Sequence, residues 1–262
     1  EAKTWATSIE HHASHVAVSG YAPPPTGATL ADLTEKHTLM AAGEAGKTKK
    51  ATLKMLSARL GHVKLSMLNA AVLRDFIDKR EADGAGGVTI AADLSFLSAV
   101  LKWARHSRRL DVHDRLALEA RESLKHRGMR TRSVEREREP TDDELKALYS
   151  YWQGNARQKI DMSTLVRFGL VTGMRLGEIC RIKVEDIDRE KRTVIIRDRK
   201  DPRLNKGNDQ TVPLFPLAWE IVSVLTAGRT DGNVFSVNAS SASTGFTRAC
   251  QKLKIHDLHF HA

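Results

Sequence analysis

The chain has 262 residues, of which 41% are hydrophobic and only 5% aromatic, so its cores must be aliphatic and mainly helical. Forty-two lysines and arginines against 32 acidic residues leave a formal charge of +10, which suits a polyanionic partner such as nucleic acid, or a merely basic surface. Cys180 and Cys250 alone exclude a disulfide framework and favour a reducing cytoplasm, and no stretch reaches the ~20 apolar residues of a membrane helix.

Residues 1–28 read as an N-terminal segment. EAKTWATSIEHHASHVAVSG predicts a short helix without the hydrophobic region of a secretion signal, and three consecutive prolines in YAPPPTGAT then interrupt it. Apolar residues at i, i+3, i+4 spacing predict four amphipathic helices over 30–43, 47–63, 67–84 and 88–110. Leu53, Leu56 and Leu60 share one face of the second, and GAGG (84–87) turns between the last two. These helices make a module over 29–119. Residues 120–140 are charge-rich, nearly free of apolar side chains and end on Pro140. They read as a solvated linker, whose basic half could instead lie along a phosphate backbone.

A second domain, 141–262, opens on TDDELKALYSYW, where Thr141 and Glu144 have the spacing of a capping box. A helix over 158–172 stops at Gly173, placed for a left-handed C-cap. RTVIIRDRK (192–200) and QTVPLFP (210–216) are β-branched runs joined by the long polar tip DPRLNKGND, which predicts a hairpin. Helix returns over 217–228 and 239–255, and no internal repeat is found. The fold class is mainly α with a small antiparallel β-sheet.

TGMRLGEI (172–179) carries the most chemistry. An arginine at the start of a new helix keeps its guanidinium near backbone N–H groups and a positive helix end, which favours an anion such as phosphate. Glu178, one turn on, orients that guanidinium or caps the helix. A plain Arg175–Glu178 ion pair explains the motif as well.

Four pieces then fall into one pattern: TGMRLGEI, the strand–lysine–strand run RDRKDPRLNKGNDQTVPL, GNVF (232–235) and DLHFH (257–261). They resemble the catalytic domain of the tyrosine recombinases, the phage integrase family. The tail is most similar to shufflon-type and related plasmid or phage integrases. The helical module before them resembles the family's core-binding (DNA-binding) domain. The resemblance covers nearly the whole chain, most strongly from about residue 140 onward.

What the resemblance implies is a site-specific DNA recombinase without metal or cofactor. A tyrosine oxygen attacks a phosphodiester, giving a 3′-phosphotyrosyl link and a free 5′-hydroxyl. Arg175 stabilises charge on the non-bridging oxygens, and a hairpin lysine, Lys200 before Lys206, protonates the leaving 5′-oxygen. His261, as first histidine of the family's His-x-x-Arg-His box, contacts a phosphate oxygen or helps accept the tyrosine proton. In the alternative register His256 opens the box and His259 stands where a fixed positive charge is required. Metal binding through the HFH pair finds no supporting Cys, Asp or Glu cluster in the sequence.

The implied partner is double-stranded DNA at specific recombination sites, clamped between the two domains, with a homo-tetramer on paired sites at full length. Expected DNA contacts are Lys206, the helix start Lys47, Thr48, Lys49 and Lys50, and the helix end Arg105, Arg108 and Arg109. A solvated helix face explains each basic cluster equally, and Trp103 is expected in the core. The chain departs from the family pattern in that the second arginine, a later His or Trp and the nucleophile are missing, the tyrosines being Tyr21, Tyr149 and Tyr151. The expectation is a catalytic domain without its C-terminal part, inactive in cleavage as it stands. A non-catalytic DNA-binding regulator or architectural protein on the same fold, and a type IB topoisomerase, are the competing classes.

Overall fold

A computed structural model describes residues 10, 13–40, 46–135, 138–155, 158–199 and 207–260. The chain divides into two compact units between Val134 and Glu135, each with its own core.

The first unit contains five helices among the described residues beyond the N-terminal stretch: α1 (Leu30–Met40), α2 (Lys47–Leu60), α3 (Ala70–Ala82), α4 (Gly87–Arg108) and α5 (Leu116–His126). Helix α4 is the axis. Ile90, Leu94, Leu97, Leu101 and Ala104 recur at helical spacing, are buried, and meet Leu30 and Leu33 of α1, Leu53 and Leu56 of α2, and Leu73 and Ile77 of α3 in one core. By length and composition α4 is apolar enough to cross a membrane; its apolar face is instead occupied by these helices. Asn69 caps α3, its side chain accepting from the Val72 N–H at 3.1 Å. A buried Arg80–Asp93 pair at 2.9 Å ties α3 to α4.

The four-helix module gains a fifth member. Residues 120–126, expected in a solvated linker, continue α5, and Leu124 is fully buried in the core of the first unit. The chain stays attached beyond it, since the Met129 N–H donates to the Leu124 carbonyl at 2.9 Å. Leu116, Ala117 and Leu124 are buried, with Ala120 packed beside them, so α5 docks through one apolar stripe while its other face is charged. The charge count alone does not register them.

The second unit has α6 (Asp142–Gln153), α7 (Met162–Thr172), the four-residue α8 (Leu176–Ile179), strands β1 (Ile187–Asp188), β2 (Thr193–Ile196) and β3 (Gln210–Pro213), α9 (Pro216–Leu225) and α10 (Ala239–Lys252). The predicted capping box is present: the Glu144 N–H donates to Thr141 Oγ1 at 3.2 Å and the Thr141 N–H to Glu144 Oε2 at 2.9 Å. The hairpin acquires a third strand, giving an antiparallel sheet of order β1-β2-β3 in which Val194 faces both Ile187 and Val212. Val194 and Ile196 point into the core while Ile195 between them is exposed, the two-residue alternation of a half-covered sheet. Phe168 and Phe235, with ring centroids 5.0 Å apart, and Trp152 against Phe246 supply the aromatic part of a core otherwise built from Leu, Ile, Val and Met.

Candidate active site

Helix α7 is capped by Asp161, which accepts from the Thr164 N–H at 3.0 Å. It ends on Gly173, whose φ of 62° lies in the left-handed region where an L side chain is strained. The chain therefore turns sharply, buries Met174 and releases Arg175 in extended conformation (φ −67°, ψ 142°) as the residue before α8. Leu176 and Ile179 are buried, so α8 is pinned to the core and the position of Arg175 with it.

The side chain that organises this corner is Glu178. Its carboxylate is 3% exposed; Oε2 accepts from the Arg175 backbone N–H at 3.2 Å and Oε1 from Arg175 Nη1 at 2.9 Å. The ion pair weighed from sequence is thus present, yet the Arg175 side chain stays 53% exposed and keeps donors turned to solvent. A second guanidinium approaches the same carboxylate: Arg199 Nε lies 3.8 Å from Glu178 Oε1.

Arg199 arrives from the hairpin. Past β2 the chain reads Arg197-Asp198-Arg199, and each of the three is fastened. Arg197 grips the buried carboxylate of Asp186 through Nε and Nη2. Asp198 accepts from the Gly207 N–H at 2.7 Å and donates its own N–H to Asp209 Oδ1 at 2.9 Å. Arg199 exchanges backbone and amide hydrogen bonds with Asn208 and donates from Nη1 to Gln210 Oε1 at 2.9 Å. The two arms of the hairpin remain paired up to the tip. Lys200 and Lys206 lie outside the described residues.

DLHFH comes back to the same helix end. Leu258 is buried, and the Phe260 ring packs on Phe246 (centroids 5.7 Å apart) and over Gly169, where an added Cβ would sit 3.2 Å from the ring. His259, half-exposed and 3.6 Å from Asp257 Oδ1, lines a cavity of about 510 Å³ together with Gly173 and Met174. His261 lies outside the described residues. Among the described residues no group of three His, Cys, Asp or Glu side chains is arranged to hold a metal ion. None of the three tyrosines lines this cavity: Tyr21 belongs to the first unit, and Tyr149, beneath the Arg167 guanidinium at 5.2 Å, and Tyr151 pack on the second core.

In the first unit, Lys47, Thr48, Lys49 and Lys50 form the opening turn of α2, with Gly46 before it providing no side-chain cap. Arg105 is differently placed. Its guanidinium sits 4.0 Å over the Tyr21 ring, donates to Asp111 at 3.0 Å and to the Val112 carbonyl at 3.1 Å, and so holds its own unit together. Arg109 adopts the left-handed conformation that ends α4, and its carbonyl accepts from the Ala22 N–H; Arg108 is exposed. Arg199 was not among the residues expected from the sequence: it lies just past β2, and only the fold brings it to Glu178.

Residues 140–262 match the phage integrase family. Over this stretch, just under half of its length, the chain is similar to a phage integrase domain. A shufflon-specific DNA recombinase of Escherichia coli is 29% identical to the chain over 126 residues, 48% of this chain and 30% of the relative. For an integrase/recombinase of Haemophilus influenzae, described as putative, the figures are 35% over 98 residues, 36% of this chain and 25% of the relative. The chain thus matches under a third of the length of either relative. Among solved structures, a Tn1549 transposon integrase in complex with transposon right end DNA superposes with a TM-score of 0.66 at 16% identity, covering 89% of this chain and 83% of that one. A lambda integrase tetramer bound to a Holliday junction gives 0.63 at 16%, covering 97% and 74%. At these identities the likeness is one of fold. It joins a helical unit to an integrase domain that is mostly helical with a small antiparallel sheet.

Proposed function

We propose that the chain is the DNA-binding and phosphate-holding part of a site-specific DNA recombinase. Its integrase domain grips the scissile phosphate through Arg175. The observation that carries this reading is the shared carboxylate of Glu178, which holds a half-exposed Arg175 next to the strand end that leads into Lys200. In the transition state of phosphoryl transfer, charge gathers on the non-bridging oxygens, and a guanidinium already fixed beside them stabilises it without reorganisation. A tyrosine oxygen forms a bond to phosphorus as the bond to the 5′-oxygen breaks. Lys200 gives that oxygen its proton, and His261 contacts the phosphate or takes the tyrosine proton. The tyrosine comes from elsewhere in the full-length recombinase. DNA is held by Lys47, Thr48, Lys49, Lys50, Arg108 and Lys206, and the active species on paired sites is a tetramer.

The test is single-turnover cleavage of a nicked suicide duplex by the full-length protein, with the trapped phosphotyrosine mapped by mass spectrometry. Arg175→Ala is expected to lower the cleavage rate by 10²–10³-fold, about the loss of one oxyanion donor, while duplex affinity at fixed salt changes little. Cleavage by Arg175→Ala at the wild-type rate ends the proposal. A second reading, a non-catalytic DNA-binding protein on the same fold, is favoured by the placement of all three tyrosines away from the cavity beside Arg175. Absence of any covalent protein–DNA product from the full-length protein selects it.

A further inference from the structure

Two arginines converge on one buried carboxylate, and only one of them has a role in the reading above. We propose that Arg199 is a positioning residue for Arg175, acting through Glu178: it balances the Glu178 charge so that the Arg175 guanidinium keeps its positive charge for the phosphate. This rests on Arg175 as the phosphate-holding arginine and adds to it a group that never touches DNA.

Glu178 is 3% exposed and has Arg175 Nη1 at 2.9 Å and Arg199 Nε at 3.8 Å. A carboxylate so nearly removed from water needs a compensating charge. With Arg175 as sole partner, the pair would sum to zero, and the guanidinium would be drawn onto Glu178 just where an incoming phosphate competes for it. With Arg199 included, the three groups sum to one positive charge, and that charge sits at the exposed end, because Arg175 is 53% exposed and Arg199 only 30%. Arg199 cannot swing away to serve as a second phosphate ligand at no cost. Its Nη1 is committed to Gln210 at 2.9 Å and its backbone to Asn208 at 2.8 Å. The ion pair is longer than a direct hydrogen bond, so Arg199 contributes charge at short range and not a shared proton.

The experiment is the same single-turnover cleavage by the full-length protein. Arg199→Gln is expected to slow cleavage by roughly tenfold with little change in duplex binding. Arg199→Lys, which keeps the charge and loses the fork to Gln210, falls between it and wild type. The decisive variant is the double one. Adding Glu178→Gln to Arg199→Gln removes the unbalanced negative charge, so the double variant cleaves faster than Arg199→Gln alone, the reverse of what two structural lesions would do. A methylphosphonate at the scissile position, which carries no charge for Arg175 to neutralise, narrows the deficit of Arg199→Gln. A 5′-thiolate leaving group, which needs no proton donor, leaves the deficit unchanged.

Arg199→Gln at the wild-type rate, or a double variant slower than both single ones, overturns the proposal. Rescue by the thiolate in place of the methylphosphonate also overturns it and assigns Arg199 to the hairpin lysine. Arg175→Ala, run beside them, separates the two levels: normal cleavage by that variant removes the underlying reading, whereas a slow Arg175→Ala with an indifferent Arg199→Gln removes this inference alone.

Discussion

Arginines that look alike in the sequence do different work. Arg105 was grouped with Arg108 and Arg109 as a basic helix end, but its planar group is stacked on Tyr21 and bonded to Asp111 and Val112. Arg105→Ala is therefore expected to destabilise the first unit by about 1 kcal/mol, the sum of a partly screened ion pair and a cation–π contact. The salt dependence of DNA binding stays unchanged in that variant, and thermal unfolding with a salt titration measures both. His37 offers a pH test at the same scale. It is buried against Trp103, edge to face at 5.3 Å, and its Nδ1 has no hydrogen-bond partner. Burial, helped by nearby Lys49, lowers its pKa from the usual 6.5. The folded state thus accommodates the neutral ring while the unfolded chain still takes up a proton near pH 6.5. Its contribution is complete above that pH and is lost as the pH falls below it. Denaturation midpoints of the first unit are expected to drop between pH 7 and 5, and less so in His37→Leu.

Among the elements, the close approaches matter more than the periodicities. Gly87 opens α4, and a Cβ there would lie 2.5 Å from the Arg130 carbonyl oxygen. The atom it meets is backbone, and a Cβ has no rotamer that would relieve the contact. Gly87→Ala is expected to cost roughly 1–3 kcal/mol and to loosen residues 128–134, seen as faster amide exchange there. The capping box on α6 and the glycine stop on α7 are local in origin, and both were legible as short motifs. Helix α5 and strand β1 were not. Past Ala120 the only apolar residue left in α5 is Leu124, and β1 has Ile187 alone. A single apolar residue in a charged run has no periodicity, and these segments fold because α3 and α4 in one case, and β2 in the other, supply the partner.

Over the whole molecule, the proposed binding to duplex DNA has a salt signature that follows from the +10 charge: log affinity falls linearly with log salt. Replacing Lys47 by alanine is expected to reduce that slope by about one and to weaken binding equally on all sequences, as removal of a phosphate contact does. An unchanged slope takes the α2 turn out of the interface. The sequence by itself determined the resemblance of residues 140–262 to phage integrases, the mainly helical fold with its small antiparallel sheet, and the turn that presents Arg175, because helix periodicity, a glycine stop and a short motif are all written within a few residues of one another. The tertiary structure decided what Arg175 works with. Glu178 and Arg199 are 21 positions apart in the chain, joined through two strands and the turn between them, and meet only because the core places the hairpin beside α8. No local pattern encodes a charge balance of that kind; it arises where burial removes the water that would otherwise have screened it.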